Sequence, residues 1–424
     1  MKKGLIFILC LMLAMGGSSA LAYELLPGVA VIGEEDIYYS GSVDGVARGL
    51  FKMGPSGEDA RAIYPKDMAI LAASDEYLLT LDYDGQADTQ LMLLDKAGTV
   101  VYQAPHSYVG CAIEEDGAFY LGASMLTIKD GKVEEKQLFD VAPQEGWRIE
   151  PVRVDDGFLY YLDLTACPEN MVENDWTMAT LKRMNLVSGD MQGITPEGTT
   201  VIGFENDQVF YELNPFWVMD GESSKQVTVE SGLYRANVDG TGTTKLLAFD
   251  MAPEQGSQHY QLMDDGVLYG LETRYVAGQE DFSCALKRMT TKGEALKDIA
   301  VPNGTLGAVN DGKVYLATCN IITTEDDYVQ KDQIYKLDTA TGDIQPLGED
   351  VPRAIFFTEA SPVLVMEEAK LYFVAFDQER TSSELHMLNV NNGTDTRLAL
   401  GFGWTSEADA QSPAADAEPG AAVG

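Results

Sequence analysis

The stretch 231–247 reads SGLYRANVDGTGTTKLL. Apolar and polar residues alternate through Leu233, Tyr234, Arg235, Ala236 and Asn237, then Asp239-Gly240-Thr241-Gly242 intervenes before a second apolar run at Leu246-Leu247. A period of two gives a strand one buried face, and glycine supplies the positive φ of a tight turn, so this stretch predicts a β-hairpin. The unit recurs as QLMLLDKAGTVVY (90–102), TLKRMNLVSGDMQGI (180–194), QIYKLDTATGDIQPL (333–347) and ELHMLNVNNGTDTRLAL (384–400), with weaker copies at 49–64, 125–139 and around Leu286.

Each copy follows a different hairpin, made of an apolar strand, an acidic turn and a strand centred on tyrosine. VRVDDGFLYYL (152–162), VIGFENDQVFYEL (201–213) and QLMDDGVLYGL (261–271) show it most clearly. Eight first hairpins pair with eight second hairpins along the chain. Four short strands that cannot bury both faces alone, repeated in tandem, predict an all-β fold: an eight-bladed β-propeller with four antiparallel strands per blade, or seven blades if one unit is degenerate.

The strings GLYRANVDGTGTTKLL and DDGFLYYL resemble the repeats of secreted bacterial β-propeller proteins of the YWTD/TolB-like kind. The resemblance spans nearly all of the repeat region and rests on hairpin-forming residues, so it implies the fold and no activity. The YWTD tetrapeptide, the WD40 Gly-His and Trp-Asp pairs and the sialidase Asp-box are missing from the sequence, so the ligands of those subfamilies do not carry over.

The N-terminus, MKKGLIFILCLMLAMGGSSALA, has two lysines, an apolar run and small residues at Ala20 and Ala22. It reads as a signal peptide over 1–22, with Cys10 inside the apolar run rather than at a lipidation site, and it predicts export to a periplasmic, cell-surface or secreted location without a membrane anchor. The propeller is expected over 23–403. Residues 404–424, rich in Ala, Ser, Asp and Pro, lack any periodic apolar face and are expected to be a disordered tail.

The 424 residues carry a net charge of −38. Loss of the two signal-peptide lysines leaves 27 Lys and Arg against 67 Asp and Glu, about −40. Such a field repels phosphate backbones and argues against nucleic acid as a partner. Cys111, Cys167, Cys284 and Cys319 form no CxxC and no cysteine–histidine cluster, so no zinc site is expected. If a disulfide forms, the strand order favours Cys284–Cys319; the alternative is that each is a small buried apolar residue.

No phosphate loop, HExxH or GxSxG occurs, and His106, His259 and His386 stand among residues with no evident base or nucleophile partner. No cofactor is expected. Asp82-Tyr83-Asp84-Gly85-Gln86-Ala87-Asp88 alternates carboxylates in the manner of a calcium loop, but it joins two strands and lacks the closing glutamate of an EF-hand; a polar loop is the other reading. The first-hairpin turns carry seventeen carboxylates on one face, which is either turn chemistry with solubility or a cation-binding ring.

The opposite face carries the links between second and third strands, lengthened at 164–179, 214–231, 273–284, 318–332 and 376–383. These hold Trp176, Trp217, Tyr275, Phe282 and Tyr328, aromatics suited to stacking on a sugar or anchoring a protein. The sequence therefore predicts a monomeric, non-enzymatic propeller that binds a protein or glycan through one face. The competing class is a carbohydrate-active hydrolase or lyase using carboxylates across that face. On export the chain is expected to begin at Tyr23, which intact-mass measurement of the secreted protein checks; a product retaining Met1 would contradict the signal assignment.

Overall fold

The structure, a computed structural model, describes residues 29–400 except 33–35, 42–48, 67, 83–89, 106–111, 116, 130, 141–148, 165–178, 221–222, 228, 250–254, 276–281, 319, 324–327, 349–352, 356–362, 366–368 and 377–382. The signal peptide, the tail, most of the candidate calcium loop, Trp176, Cys111, Cys167, Cys319, His106 and, of the turn carboxylates, Glu34, Glu35, Asp116, Glu367 and Glu368 lie outside the described residues. Among the described residues, seven four-stranded antiparallel sheets and an eighth whose first strand is split in two follow one another along the chain, so the protein is an eight-bladed β-propeller.

Every blade is a meander, from Val29–Ile32 through Arg61–Tyr64 in blade 1 to Asp395–Leu400 in blade 8, interrupted in blades 5 and 7 by a two-stranded sheet between the second and third strands. First strands touch one another from blade 1 through blade 4 and from blade 5 through blade 7, which places them around the axis. Blade 8 departs from the pattern, because its first strand is split into Ala354–Ile355 and Val363–Val365, both antiparallel to the second strand.

The second strands explain the ring. In blade 8, Leu371, Phe373 and Ala375 face blade 7, while Tyr372, Val374 and Phe376 face blade 1. Blade 4 repeats the division, with Leu159 and Tyr161 packed on blade 3 and Tyr160 on blade 5. A strand that alternates between two apolar neighbours loses the polar phase of the usual pattern, so sequences such as LYFVAF read as unbroken apolar runs. Among the described residues the core is accordingly eight separate clusters, one at each blade junction.

The last of these joins Ile37, Tyr39, Phe51 and Met53 of blade 1 to Leu385, Met387, Leu398 and Ala399 of blade 8. No strand is shared between the chain ends among the described residues, so this packing closes the ring. The Tyr372 hydroxyl adds a hydrogen bond across the seam to the Pro55 carbonyl, 2.8 Å away and 317 residues distant in sequence.

The turns follow from local chemistry. First-hairpin turns in blades 4, 6 and 7 place Asp156, Asp265 and Asp311 at φ of 48°, 43° and 46°, each followed by a glycine also at positive φ. Two successive left-handed residues make a type I′ turn, for which Asp-Gly is a preferred pair. Backbone bonds from Leu186 to Gly157, Thr291 to Gly266 and Thr339 to Gly312 then tie each blade's third-strand turn to its first turn, so both sets of turns share one face.

A third-strand cation bolts adjacent blades together on that face. Arg235 donates to the Thr291 carbonyl, Arg288 to the Thr339 carbonyl and Lys336 to the Val390 carbonyl, each at 3.1 Å and each reaching into the next blade. These cations occupy equivalent places in LYRAN, LKRMT and IYKLD.

Because the core is distributed over junctions, truncation at one junction should weaken the whole ring. Leu371→Ala, at a fully buried site, is expected to cost about 2–5 kcal/mol in urea unfolding. Val187→Ala, on a side chain 94% exposed, should stay within about 0.5 kcal/mol.

Candidate binding face

Since both sets of turns share one face, the links between second and third strands emerge on the other. In blade 5 that link folds into a hairpin of its own, Phe216–Asp220 against Ser223–Val227, with Trp217 opposite Gln226. In blade 6 strands two and three simply extend to nine residues each, until Tyr275 pairs with Phe282. Blade 7 carries Ile321–Thr323 against Tyr328–Gln330, with Thr323 opposite Tyr328.

Of the five long links expected from the sequence, those at 164–179 and 376–383 lie almost wholly outside the described residues, and the other three are β-hairpins in consecutive blades. Trp217, Tyr275, Phe282 and Tyr328 all lie on them. Tyr275 and Phe282 are cross-strand neighbours, whereas Trp217 and Tyr328 stand on separate two-stranded sheets.

What the sequence did not reveal is how this face is footed. Asp163, Glu212, Glu272 and Asp332, each no more than 9% exposed, sit at the bases of the links of blades 4, 5, 6 and 7 respectively. Buried carboxylates are costly unless paired, and each of these is paired. Asp163 receives Lys182 at 2.6 Å. Glu212 accepts the Tyr260 backbone N–H at 2.5 Å and contacts His259 Nδ1 at 3.1 Å, linking blade 5 to blade 6. Glu272 receives Arg274 at 2.7 Å and Lys287 at 3.4 Å, cations that hold its carboxyl below the usual carboxylate range. Asp332 accepts from Asn320 N–H, Gln330 Nε2 and the Ile355 N–H of blade 8, at 2.9, 2.7 and 2.9 Å.

The histidines depart from the sequence-based expectation, which found no partners for them. Glu212 precedes His259 by 47 residues, and only the blade junction brings them together. Burial alone would lower the His259 pKa, but the hydrogen bond and charge of Glu212 raise it above the ordinary value. His386 likewise sits between Asp395 and Glu384. Cys284 is a free, buried thiol that contacts the Thr273 hydroxyl at 3.1 Å, so it fills the role of a small packed residue.

On the turn face, left-handed turn geometry accounts for Asp156, Asp265 and Asp311, and among the described residues no three His, Cys, Asp or Glu side chains converge on a metal-sized space. A cleft of about 220 Å³ lies there between blades 4 and 5. Arg153 closes part of it, paired to Asp155 at 2.8 Å and lying 5.3 Å from the Phe204 ring centre. That volume is below the roughly 300 Å³ at which small-molecule pockets begin.

The His259–Glu212 pair gives a direct check on this footing. The His259 ring should titrate above the ordinary imidazole value of about 6.5. Glu212→Gln removes the anion while keeping an acceptor for Tyr260 N–H, so the titration should move back to or below that value in proton NMR. A raised folded pKa means the stabilisation is complete below about pH 6.5 and is lost as pH rises through the folded value.

No family model matches the sequence, and no curated protein matches it. Among solved structures the chain is similar to a prolyl endopeptidase, at 11% identity and a TM-score of 0.46, over 87% of this chain and 58% of that one. It is similar to the β-propeller domain of the trilobed protease from Pyrococcus furiosus at 9% identity and a TM-score of 0.42, over 88% and 95% of the two chains. The WD40 domain of SCAP from fission yeast gives 9% identity, a TM-score of 0.42 and coverage of 89% and 92%. The chain thus spans less than two thirds of the endopeptidase's length, and nothing about activity follows from likeness at this level.

Proposed function

We propose that the protein is an exported, monomeric propeller of the YWTD/TolB-like kind that binds a protein or glycan partner through its hairpin face and does not turn it over. The observation that carries this reading is the alignment of three raised hairpins on one face with buried, paired carboxylates at their feet. Scaffolds place recognition on projecting segments supported by a rigid ring, and a fixed base lowers the ordering cost of binding. Aromatics on short sheets offer large contact areas with few rotors to immobilise.

Chemistry also divides the two faces. Asp156, Asp265 and Asp311 on the turn face have a conformational reason to be there, whereas Asp163, Glu212, Glu272 and Asp332 occupy sites where apolar residues would pack without desolvation cost. Orientation of the overlying hairpins is the role that their hydrogen bonds fit.

The test is a panel of polysaccharides and cell-surface proteins presented to the purified mature protein. Saturable binding without product release is expected. Trp217→Ala should weaken it by about 2 kcal/mol, roughly thirtyfold, with the melting curve unchanged. Asp155→Asn with Asp156→Asn, on the other face, should leave affinity unaltered. Release of sugar product from the panel would make the protein an enzyme, and affinity that follows the turn-face aspartates while ignoring Trp217 would move the site to the opposite face.

A further inference from the structure

His386 lies on the third strand of blade 8, Ser383–Asn389, whose neighbours Leu385 and Met387 pack into the junction with blade 1. His386 projects to the other side and stacks on Phe373, with ring centres 5.1 Å apart and planes 21° from parallel. Both ring nitrogens meet carboxylates: Nδ1 is 2.7 Å from Asp395 Oδ1 and Nε2 is 3.2 Å from Glu384 Oε2.

The protonation state follows from hydrogen-bond chemistry. Arg353 donates to Asp395 Oδ2 at 2.7 Å and Arg397 to Glu384 Oε1 at 2.9 Å, which keeps both carboxylates ionised and able only to accept. Both imidazole nitrogens can donate to these acceptors only when the ring is an imidazolium, so the arrangement favours the protonated form. A neutral ring has a single N–H and would set a lone pair against one of the two carboxylates.

The groups facing this ring come from every element around it. Glu384 shares its strand, Asp395 and Arg397 stand on strand four, Phe373 on strand two, and Arg353 in the link from blade 7. Gly348 of blade 7 leaves the space, since a Cβ there would lie 3.2 Å from Asp395 Oδ2 and 3.3 Å from Arg353 Nη2. The Arg353 carbonyl also accepts the Asp332 backbone N–H, so the cluster is joined to the base of the blade 7 hairpin.

We propose that His386 is a proton-operated clasp on the blade that closes the ring: protonated, it holds Glu384 of strand three and Asp395 of strand four together, and deprotonated it sets a lone pair against Glu384, displacing the carboxylate that Arg397 of strand four also grips and so loosening both strands. Nδ1 keeps the remaining proton, because Asp395 is nearer and its side chain is 2% exposed against 31% for Glu384. Burial opposes the charge, yet the two carboxylates raise the imidazole above its ordinary pKa. With the folded value raised, the clasp's stabilisation is complete below about pH 6.5 and is lost as pH rises through the folded value. The unfolding constant changes about tenfold for each pH unit by which folding displaces the ring's titration.

Ring ¹⁵N spectra of the intact protein test the protonation state, with His386 identified by its loss in His386→Gln. Above pH 6.5, both His386 nitrogens should still carry the cationic signature, and a neutral single tautomer there would overturn the proposal. Hydrogen exchange then tests the consequence. As pH rises through the titration, and after correction for intrinsic rates, protection of amides in 383–389 and 395–400 should be lost progressively while Phe158–Asp163 of blade 4 holds steady. Equal loss in both blades would refute the clasp. In His386→Gln the pH-dependent fall should vanish, whereas His259→Gln should retain it; a fall of undiminished size in His386→Gln would also refute it. If that variant does not fold, the wild-type spectra and exchange decide.

Discussion

The constraint on which the structure depends is that each blade has two apolar faces and nothing but another blade to cover them. Tyr160 and Tyr161 are adjacent in sequence, yet one packs forward on blade 5 and the other back on blade 3. A single blade would leave such side chains in water, at a cost of about 25 cal/mol for each Å² of apolar surface. Stacking in a line would still leave two apolar ends, so the array is stable only when blade 8 meets blade 1. Turn chemistry, surface charge and the raised hairpins are all carried by that closed ring.

Much of this was legible because hairpin chemistry is local. Asp-Gly at 156–157 and 265–266 encodes a type I′ turn within four residues, and the apolar runs of the second strands mark burial on both sides. The raised hairpins were less legible. FWVMD at 216–220 lacks the polar alternation that marks a strand, so the sequence showed only a long link there. The footing was not legible at all. Glu212 meets Tyr260, and Asp332 meets Ile355, only through blade junctions that no short window of sequence contains. A carboxylate at or next to the end of a largely apolar second strand, as in FLYYLD and QVFYEL, is the signal that could have found it.

The two faces divide the work of folding from that of recognition. On the turn face, glycines, Asx turns and the cations Arg235, Arg288 and Lys336 fasten blade to blade with backbone carbonyls as receivers. Asp338 is typical, accepting the Ala340 and Thr341 N–H groups at 2.9 and 3.3 Å to shape its turn. On the hairpin face, polar groups are buried instead and hold segments that extend beyond the ring. Both histidines among the described residues belong to such buried polar groups: His259 beneath the hairpins and His386 behind the closing seam.

Closure of the ring is the central claim, and native-state hydrogen exchange at mildly acidic pH, where His386 is protonated, tests it most directly. If blade 8 is sealed on blade 1, the buried amides of Asp36–Gly41 and Lys370–Phe376 should exchange only with global unfolding, at the same free energy as those of Phe158–Asp163 in the middle of the chain. Exchange of the two end blades through a separate, lower-energy opening, with the middle blades still protected, would contradict the account.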